Sequence, residues 1–306
     1  MAKCFLRDQF LVNEQMKVLV SGATGYIGKN LCTGLHRSDI EFAVLIRSHS
    51  QSNYFSDLGI RAYLIDSESP EKDLKSVCRD FGPTSIVHAA GIWSNGRKPE
   101  ELDQLIKVNI SYSAHLALAA LRINAKFYNL ATYWQMNQPR VHTVKNFYTQ
   151  TKQTFENLLD SLIEYEGLSA TSLYLYDNFG PQDSRGKIVD LLLANKGNTI
   201  PLRMSDPGKY LNLLYISDVV NGIISSLKMQ TQLRNLEIAN SELITLKKLV
   251  ELVEESVNEK IKIDWAKEFD FTEDYSRHEF HHQQPLAWTP RYSVQAGINE
   301  RVGVEP

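Results

Sequence analysis

The chain has 306 residues, 43% of them hydrophobic and 23% charged, enough for one large or two modest domains around a substantial core. A formal charge of −3 offers no general field for nucleic acid or an acidic membrane surface, and no apolar run reaches the ~18 residues a spanning helix needs. Cys4, Cys32 and Cys78 are odd in number and scattered, which argues against a disulfide framework and for a reducing, cytoplasmic setting.

Residues 1–15 mix charges among their apolar positions, lack the clean hydrophobic run of a signal peptide, and read as an extension before the first strand. The first organised stretch is Lys17–Leu31, KVLVSGATGYIGKNL. An apolar strand at Val18–Val20 runs into Gly22, Gly25 and Gly28 and then into a helix over Ile27–Leu35. Gly22 suits a sharp turn, Gly25 a close approach of the backbone to a pyrophosphate, and Gly28 close packing of helix on strand. The phosphate sits on the unpaired N–H groups of that helix start, which makes Thr24, Tyr26 and Ile27 cofactor candidates with the three glycines. The spacing is GxxGxxG, so Ala23 and Thr24 lengthen the usual turn by one residue. A strand before, a helix after and βα alternation downstream mark it as a dinucleotide-binding turn.

Phe42–Ile46 reads as a buried second strand, followed by Arg47 and Ser48. An acidic side chain at that place bonds the ribose 2′-OH of NAD, and a basic one pairs with the 2′-phosphate of NADP. Arg47 therefore favours NADP(H), with NAD open and an exposed surface arginine as the alternative. A third strand, Arg61–Ile65, ends at Asp66, which either caps a turn or reaches the adenine amine. Pro70–Phe81 is predicted helical. Thr84–Ala90 is a fourth strand running into Gly91, so Ala89, Ala90 and Gly91 can lie against the cofactor, while His88 reads as a satisfied core histidine. A helix over Glu100–Leu121 carries Asn109, which serves either as an internal helix–strand tie or as a cofactor contact. Lys126–Leu130 is a fifth strand leading to Ala131 and Thr132. The pattern is α/β, a Rossmann-like doubly wound parallel sheet with its ligand crevice at the carboxyl ends of the strands, where Thr132 falls.

The next helix is predicted over Asn146–Tyr165 from the spacing of Phe155, Leu158, Leu159 and Leu162. Tyr148 and Lys152, four apart, share one face of it. An ammonium near a phenol is expected to pull its pKa from ~10 towards neutrality. Such a phenol is a general acid for reducing a ketone or a base for oxidising an alcohol. Lys152 can also hold the nicotinamide ribose, and Thr132 can hydrogen-bond the same carbonyl.

GATGYIG, HAAG, Asn109, Thr132 and YTQTK (Tyr148–Lys152) resemble the extended short-chain dehydrogenase/reductases, specifically the nucleotide-sugar epimerase/dehydratase group, from about Met16 onward. The resemblance implies an NAD(P)-binding domain over 16–180, with 210–235 returning to it, and a smaller nucleotide-sugar domain from 181–209 and 236–306. It also implies a catalytic set of Thr132, Tyr148 and Lys152, and a homodimer through Glu100–Leu121 and Asn146–Tyr165. Leu168–Tyr176, the Gly-Pro turn in LYDNFGPQDSRGKIVDLLL, Lys209–Ile216 followed by an N-cap at Ser217 or Asp218, a helix over Thr245–Val257, Trp288-Thr289-Pro290 and Ser293–Ile298 continue the pattern.

The departures narrow the group. The Thr-Asp-Glu of the 4,6-dehydratases is Thr132-Tyr133-Trp134 here, without the carboxylates that water elimination needs. Asp177 and Leu211 stand where 4-epimerases carry an asparagine and an arginine. The segments Leu175–Lys187, Asn212–Val220 and Leu45–Arg47 resemble most the abequose/paratose synthase type, NADPH-dependent reductases of nucleotide-linked 4-keto-6-deoxyhexoses in deoxysugar biosynthesis. C4 keto reduction is the first reading, a 4-epimerase with bound NAD(P) the second, and a non-catalytic NADP-sensing protein a third. An intact Tyr–Lys pair speaks against that third reading. Tyr133, Trp134 and Gln135 are expected to line the sugar pocket, with Asp177 and Asn178 at the Gly-Pro turn. Among Arg185, Lys187, Lys196, Arg203 and Lys209, the first two are preferred for the diphosphate. Arg277–His282 looks metal-like, but nothing else supplies ligands at metal spacing and no metal is expected.

Overall fold

Apolar runs without alternation, such as Val18–Val20 and Ala43–Ile46, need cover on both faces, and the chain supplies it by placing a parallel sheet between two helical layers. The computed structural model describes residues 15–303 apart from 49–51, 67–68, 95, 97, 137–145, 267–282 and 286. Strands β1 (Lys17–Ser21), β2 (Glu41–Ile46), β3 (Arg61–Leu64), β4 (Ser85–His88), β5 (Lys126–Thr132) and β6 (Ala170–Leu175) come first. The chain leaves the sheet for β7 (Asp177–Phe179), β8 (Leu202–Met204), β9 (Tyr210–Leu211) and β10 (Leu213–Tyr215), then returns at β11 (Asn235–Ile238). The seven-stranded order is β11-β6-β5-β4-β1-β2-β3, parallel throughout, so the strand order reverses between β1 and β4. A ligand crevice opens at such a reversal, beyond the carboxyl ends of the strands.

Helices α1 (Tyr26–Arg37), α2 (Ser52–Asp57) and α3 (Pro70–Phe81) follow the first three strands. One helical layer packs Leu31 and Leu35 of α1, with Val219 and Ile223 of α8 (Ile216–Leu227), on Val18 and Val20. The other packs α3, α5 (Ser113–Arg122) and α6 (Phe147–Glu166) on Leu19, Ile86 and Phe127. Leu19, Phe127 and Phe155 are fully buried, each contributing about 1.5–3 kcal/mol of transfer free energy. A second, smaller core gathers Phe179, Leu192, Met204, Leu213, Leu249, Val253 and Ile298. It is built from β7–β10, α7 (Ile188–Ala194), β12 (Ile244–Thr245), α9 (Leu246–Val257), β13 (Ile263–Trp265) and α10 (Val294–Val302).

The structure departs from the sequence expectation at four places. The helix expected over Glu100–Leu121 is α4 (Pro99–Ile106), a π-helical segment Lys107–Tyr112, and α5. The widened turn is closed by the Ser113 hydroxyl, which lies 3.0 Å from the Asn109 carbonyl, and it leaves Asn109 buried. The strand expected over Lys209–Ile216 splits into β9 and β10 at Asn212, whose carboxamide exchanges hydrogen bonds with the Asn240 backbone at 2.8 Å each way. Neither Ser217 nor Asp218 is the N-cap of α8, which starts at Ile216 with Tyr215 in that position. Asp218 instead is buried and accepts from the Tyr292 N–H at 2.9 Å, holding the Trp288-Thr289-Pro290 turn, while the Trp288 indole donates to its carbonyl at 3.1 Å. Finally, β11 reaches Ile238, so the large sheet runs three residues past the boundary expected at 235/236.

Candidate active site

The glycine turn sits at the strand reversal. Gly22 has φ +72°, and a Cβ there would meet the Ala90 nitrogen at 2.4 Å and the Ala89 carbonyl carbon at 2.5 Å, so β1 and β4 converge only because this residue lacks a side chain. Gly28 is excluded from substitution by the turn rather than by the strand, since its Cβ would fall 2.1 Å from the Gly22 carbonyl oxygen. Gly25 is the N-cap of α1, has no side-chain cap, and meets only the Gly22 oxygen at 3.3 Å. With no acidic residue in the first turn, the N–H groups of Tyr26, Ile27 and Gly28 are left for an anion. A pocket of about 320 Å³ opens there, lined by Gly22, Thr24, Gly25, Arg47, Ala89, Ala90, Gly91 and Tyr112 among others. Among the described residues no carboxylate lines it, and the turn, the bare helix start and the basic wall fit a dinucleotide with its phosphates on α1.

Arg47 is exposed on that wall and forms no ion pair among the described residues; its charge is felt by the buried Tyr112 phenol. Gln104, Lys107 and Tyr112 line the same pocket, and the sequence reading did not single them out. For Gln104 and Lys107 the signal was their spacing of three on the helix expected over Glu100–Leu121; Tyr112, inside the π-helical segment, carried none. Asp66 is exposed, lies off this pocket, and its N–H donates to Asp73 at 2.9 Å. Asn109 is an internal tie: it exchanges hydrogen bonds with the Ile92 backbone at 3.0 and 3.1 Å and donates to Thr151 at 3.1 Å. His88 is a satisfied core histidine, bonded to Ser21 at 2.8 Å and Ser113 at 2.7 Å, and burial pushes its pKa down to about 3.

Thr132 ends β5 beside α6, whose N-cap Asn146 accepts from the Thr149 N–H at 2.8 Å. The pairing of Tyr148 and Lys152 is on one helix face, but its electrostatics differ from expectation. Tyr148 keeps part of its surface in solvent, yet burial of the phenol pushes its pKa up to about 12; a Thr132 hydrogen bond opposes the shift and the Asp177 charge adds to it. Lys152, one turn on, is buried and its ammonium donates to the Leu130 carbonyl at 2.7 Å. Desolvation brings Lys152 down to about 8, partly offset by Glu156 one turn on. Glu156 is itself buried and accepts from Asn129 at 2.5 Å, Ser172 at 2.8 Å and Arg234 at 2.8 Å. The sequence reading missed it, although Tyr148, Lys152 and Glu156 recur every four residues.

Beyond Thr132 a short 3₁₀ turn (Tyr133–Gln135) directs three side chains differently. Gln135, expected in the sugar pocket, is buried and accepts from the Thr132 N–H at 3.0 Å, so it fixes Thr132 instead. Trp134 meets the Tyr148 ring edge-on with centroids 6.3 Å apart. Tyr133 stacks on Tyr176 at 4.8 Å and donates to Asp177 at 3.0 Å. A second pocket of about 280 Å³ follows, lined by Asp177, Asn178, Lys187, Arg203 and Lys209 with apolar neighbours including Phe179 and Leu246. Arg185 does not line it. Its guanidinium is held by the buried Asp183 carboxylate at 2.6 and 2.7 Å and by Asn178 at 2.8 Å, and stacks 4.3 Å above the Tyr26 ring. Lys196 is also off the pocket, so Lys187, Arg203 and Lys209 form its basic set.

Among the described residues no group of His, Cys, Asp and Glu could hold a metal ion, and Arg277–His282 lies outside those residues. No described helix is long and apolar enough to cross a membrane.

Residues 18–240 match the profile of the NAD dependent epimerase/dehydratase family. CDP-abequose synthase of Yersinia pseudotuberculosis is 26% identical over 68% of this chain and 72% of that protein. UDP-2-acetamido-2,6-beta-L-arabino-hexul-4-ose reductase of Pseudomonas aeruginosa is 30% identical over 67% of this chain, which spans 48% of that protein. The fold matches UDP-glucose 4-epimerase of Thermus thermophilus, solved with NAD, at a TM-score of 0.73 and 21% identity over 94% of this chain and 98% of that one.

Proposed function

This chain belongs to the NAD dependent epimerase/dehydratase family and is an NAD(P)-dependent oxidoreductase-type enzyme, and within that family we propose that it reduces the 4-keto group of a nucleoside-diphosphate 4-keto-6-deoxy sugar with NADPH. The observation that carries this reading is geometric: Tyr148 and Lys152 share one face of α6, and the Tyr148 phenol meets the Thr132 hydroxyl at the end of β5. A phenol with its pKa near 12 holds its proton at neutral pH, as the acid of a carbonyl reduction must. Arg47, without a carboxylate partner among the described residues, supports the 2′-phosphate of NADP.

The bound cofactor supplies hydride to the carbonyl carbon. Thr132 and Tyr148 hold the carbonyl oxygen, and Tyr148 Oη gives it a proton, so the ketone gains one hydride and one proton and becomes an alcohol. Lys152, with one of its donors on Leu130, directs its charge at the nicotinamide ribose and stabilises the phenolate left behind. Lys187, Arg203 and Lys209 take the diphosphate in the second pocket. A homodimer through α5 and α6 belongs to the same reading, supported by the exposed Leu118 and Leu158.

The test is to incubate the protein with NADPH and nucleotide-linked 4-keto-6-deoxyhexoses while following the near-ultraviolet absorbance of the cofactor. Oxidation with at least one of them is expected. No oxidation with any overturns the reductase assignment. Interconversion of a C4-hydroxy nucleotide sugar without net NADPH consumption establishes 4-epimerisation in its place.

A further inference from the structure

Asp177 follows β6 after Tyr176 and opens β7, pairing in register with Leu213 of β10. Its carboxylate accepts from Tyr133 Oη at 3.0 Å, lies 3.8 Å from Lys187 Nζ, and lines the basic pocket. Tyr133 meets Trp134 edge-on at 6.2 Å, and Trp134 meets Tyr148 in the same way, so one aromatic relay joins this carboxylate to the catalytic phenol. The charge of Asp177 is felt at Tyr148, which it helps to keep protonated. A sugar with its diphosphate among Lys187, Arg203 and Lys209 and its carbonyl at Tyr148 therefore lies alongside Asp177.

With a diphosphate bound, the charges of Lys187, Arg203 and Lys209 are balanced by it together with Asp177. Lys187 is the single cation in ion-pair distance of Asp177 among the described residues, and Arg185 nearby is committed to Asp183 and Asn178. A neutral sugar brings hydroxyl donors, which a carboxylate accepts. A uronate brings a second carboxylate, and among the described residues the cations of this pocket, Lys187, Arg203 and Lys209, are the ones that take the diphosphate. Resting on the nucleotide-sugar reading, we propose that Asp177 is a specificity-determining residue, admitting neutral hexosyl groups and rejecting sugars that carry a carboxylate. Like charges about 5 Å apart in a half-exposed site translate into a discrimination of about 10- to 100-fold.

Calorimetric titration of the NADPH-loaded protein tests this. UDP-, CDP- and dTDP-glucose identify the base that binds, and the glucuronate carrying the same base is then compared. The wild type is expected to bind the hexose at least about tenfold more tightly than the uronate. D177N, or D177S if the amide does not fold, should bring the two within about twofold by strengthening uronate binding. Equal affinities in the wild type, or an unchanged ratio in a folded variant, overturn the inference while leaving the nucleotide-sugar reading in place. Failure of every nucleotide glucose to bind overturns that reading, and the role of Asp177 with it.

Discussion

The two halves of the crevice are built by different means. On the cofactor side the working groups are backbone: the turn at Gly22, the bare N–H groups of α1, and the Ala89–Gly91 strand end. On the side proposed for the sugar they are side chains brought together from distant segments, Tyr133 with Asp177, and Lys187 with Arg203 and Lys209. A backbone site is encoded locally, because a glycine spacing fixes the turn. A side-chain site depends on which neighbours compete for each charged group, and Arg185, expected at the diphosphate, is held by Asp183 and Asn178 for that reason.

Breaking the shared centre is expected to have the largest effect. Tyr148→Phe should cost about 10²–10⁴-fold in turnover while NADPH still binds; activity within tenfold of wild type would remove Tyr148 as the proton donor. On the cofactor side, Arg47→Ala should reduce the preference for NADPH over NADH by about tenfold or more, read from the two dissociation constants. An unchanged ratio would detach Arg47 from the 2′-phosphate.

The sugar side offers a sharper contrast. Arg185→Met leaves Asp183 buried and unpaired, so it should lower unfolding free energy by about 1–3 kcal/mol. Arg203→Ala should instead weaken nucleoside-diphosphate binding with little change in melting temperature. If Arg185→Met cost more binding than stability, the basic set would have to include it.

The smallest predicted change is a displacement in pH. The Lys152 ammonium loses its proton near pH 8, so NADPH affinity should fall as pH rises through that value. Glu156 raises this pKa; Glu156→Gln should move the midpoint to lower pH, whereas Asp160→Asn, on the exposed side of Arg234, should leave it in place. A midpoint that did not move in Glu156→Gln would confine Glu156 to a structural tie.

Legibility in the sequence followed the same division. Strands β1, β2 and β4–β6, helix α6 and the Tyr148–Lys152 spacing all follow from periodicity and local chemistry, whereas the Asn146 cap of α6 was not anticipated. Strand β11 did not, because Asn235–Ile238 is short and becomes a strand by pairing with β6. The π segment at Lys107–Tyr112 is set by the partners of Asn109 and Ser113, neither of which is local. The pKa of Tyr148 reversed direction because spacing shows which groups share a face, whereas burial of the face decides the sign.

Delivery of hydride to C4 of the sugar, with a proton from Tyr148, is read out with NADPH deuterated at both nicotinamide C4 positions and a nucleotide-linked 4-keto-6-deoxyhexose, by mass and magnetic resonance analysis of the product. One deuterium at sugar C4, with one NADPH consumed per alcohol formed, is the result predicted. A product with no deuterium at C4, or formed without consumption of NADPH, would contradict it.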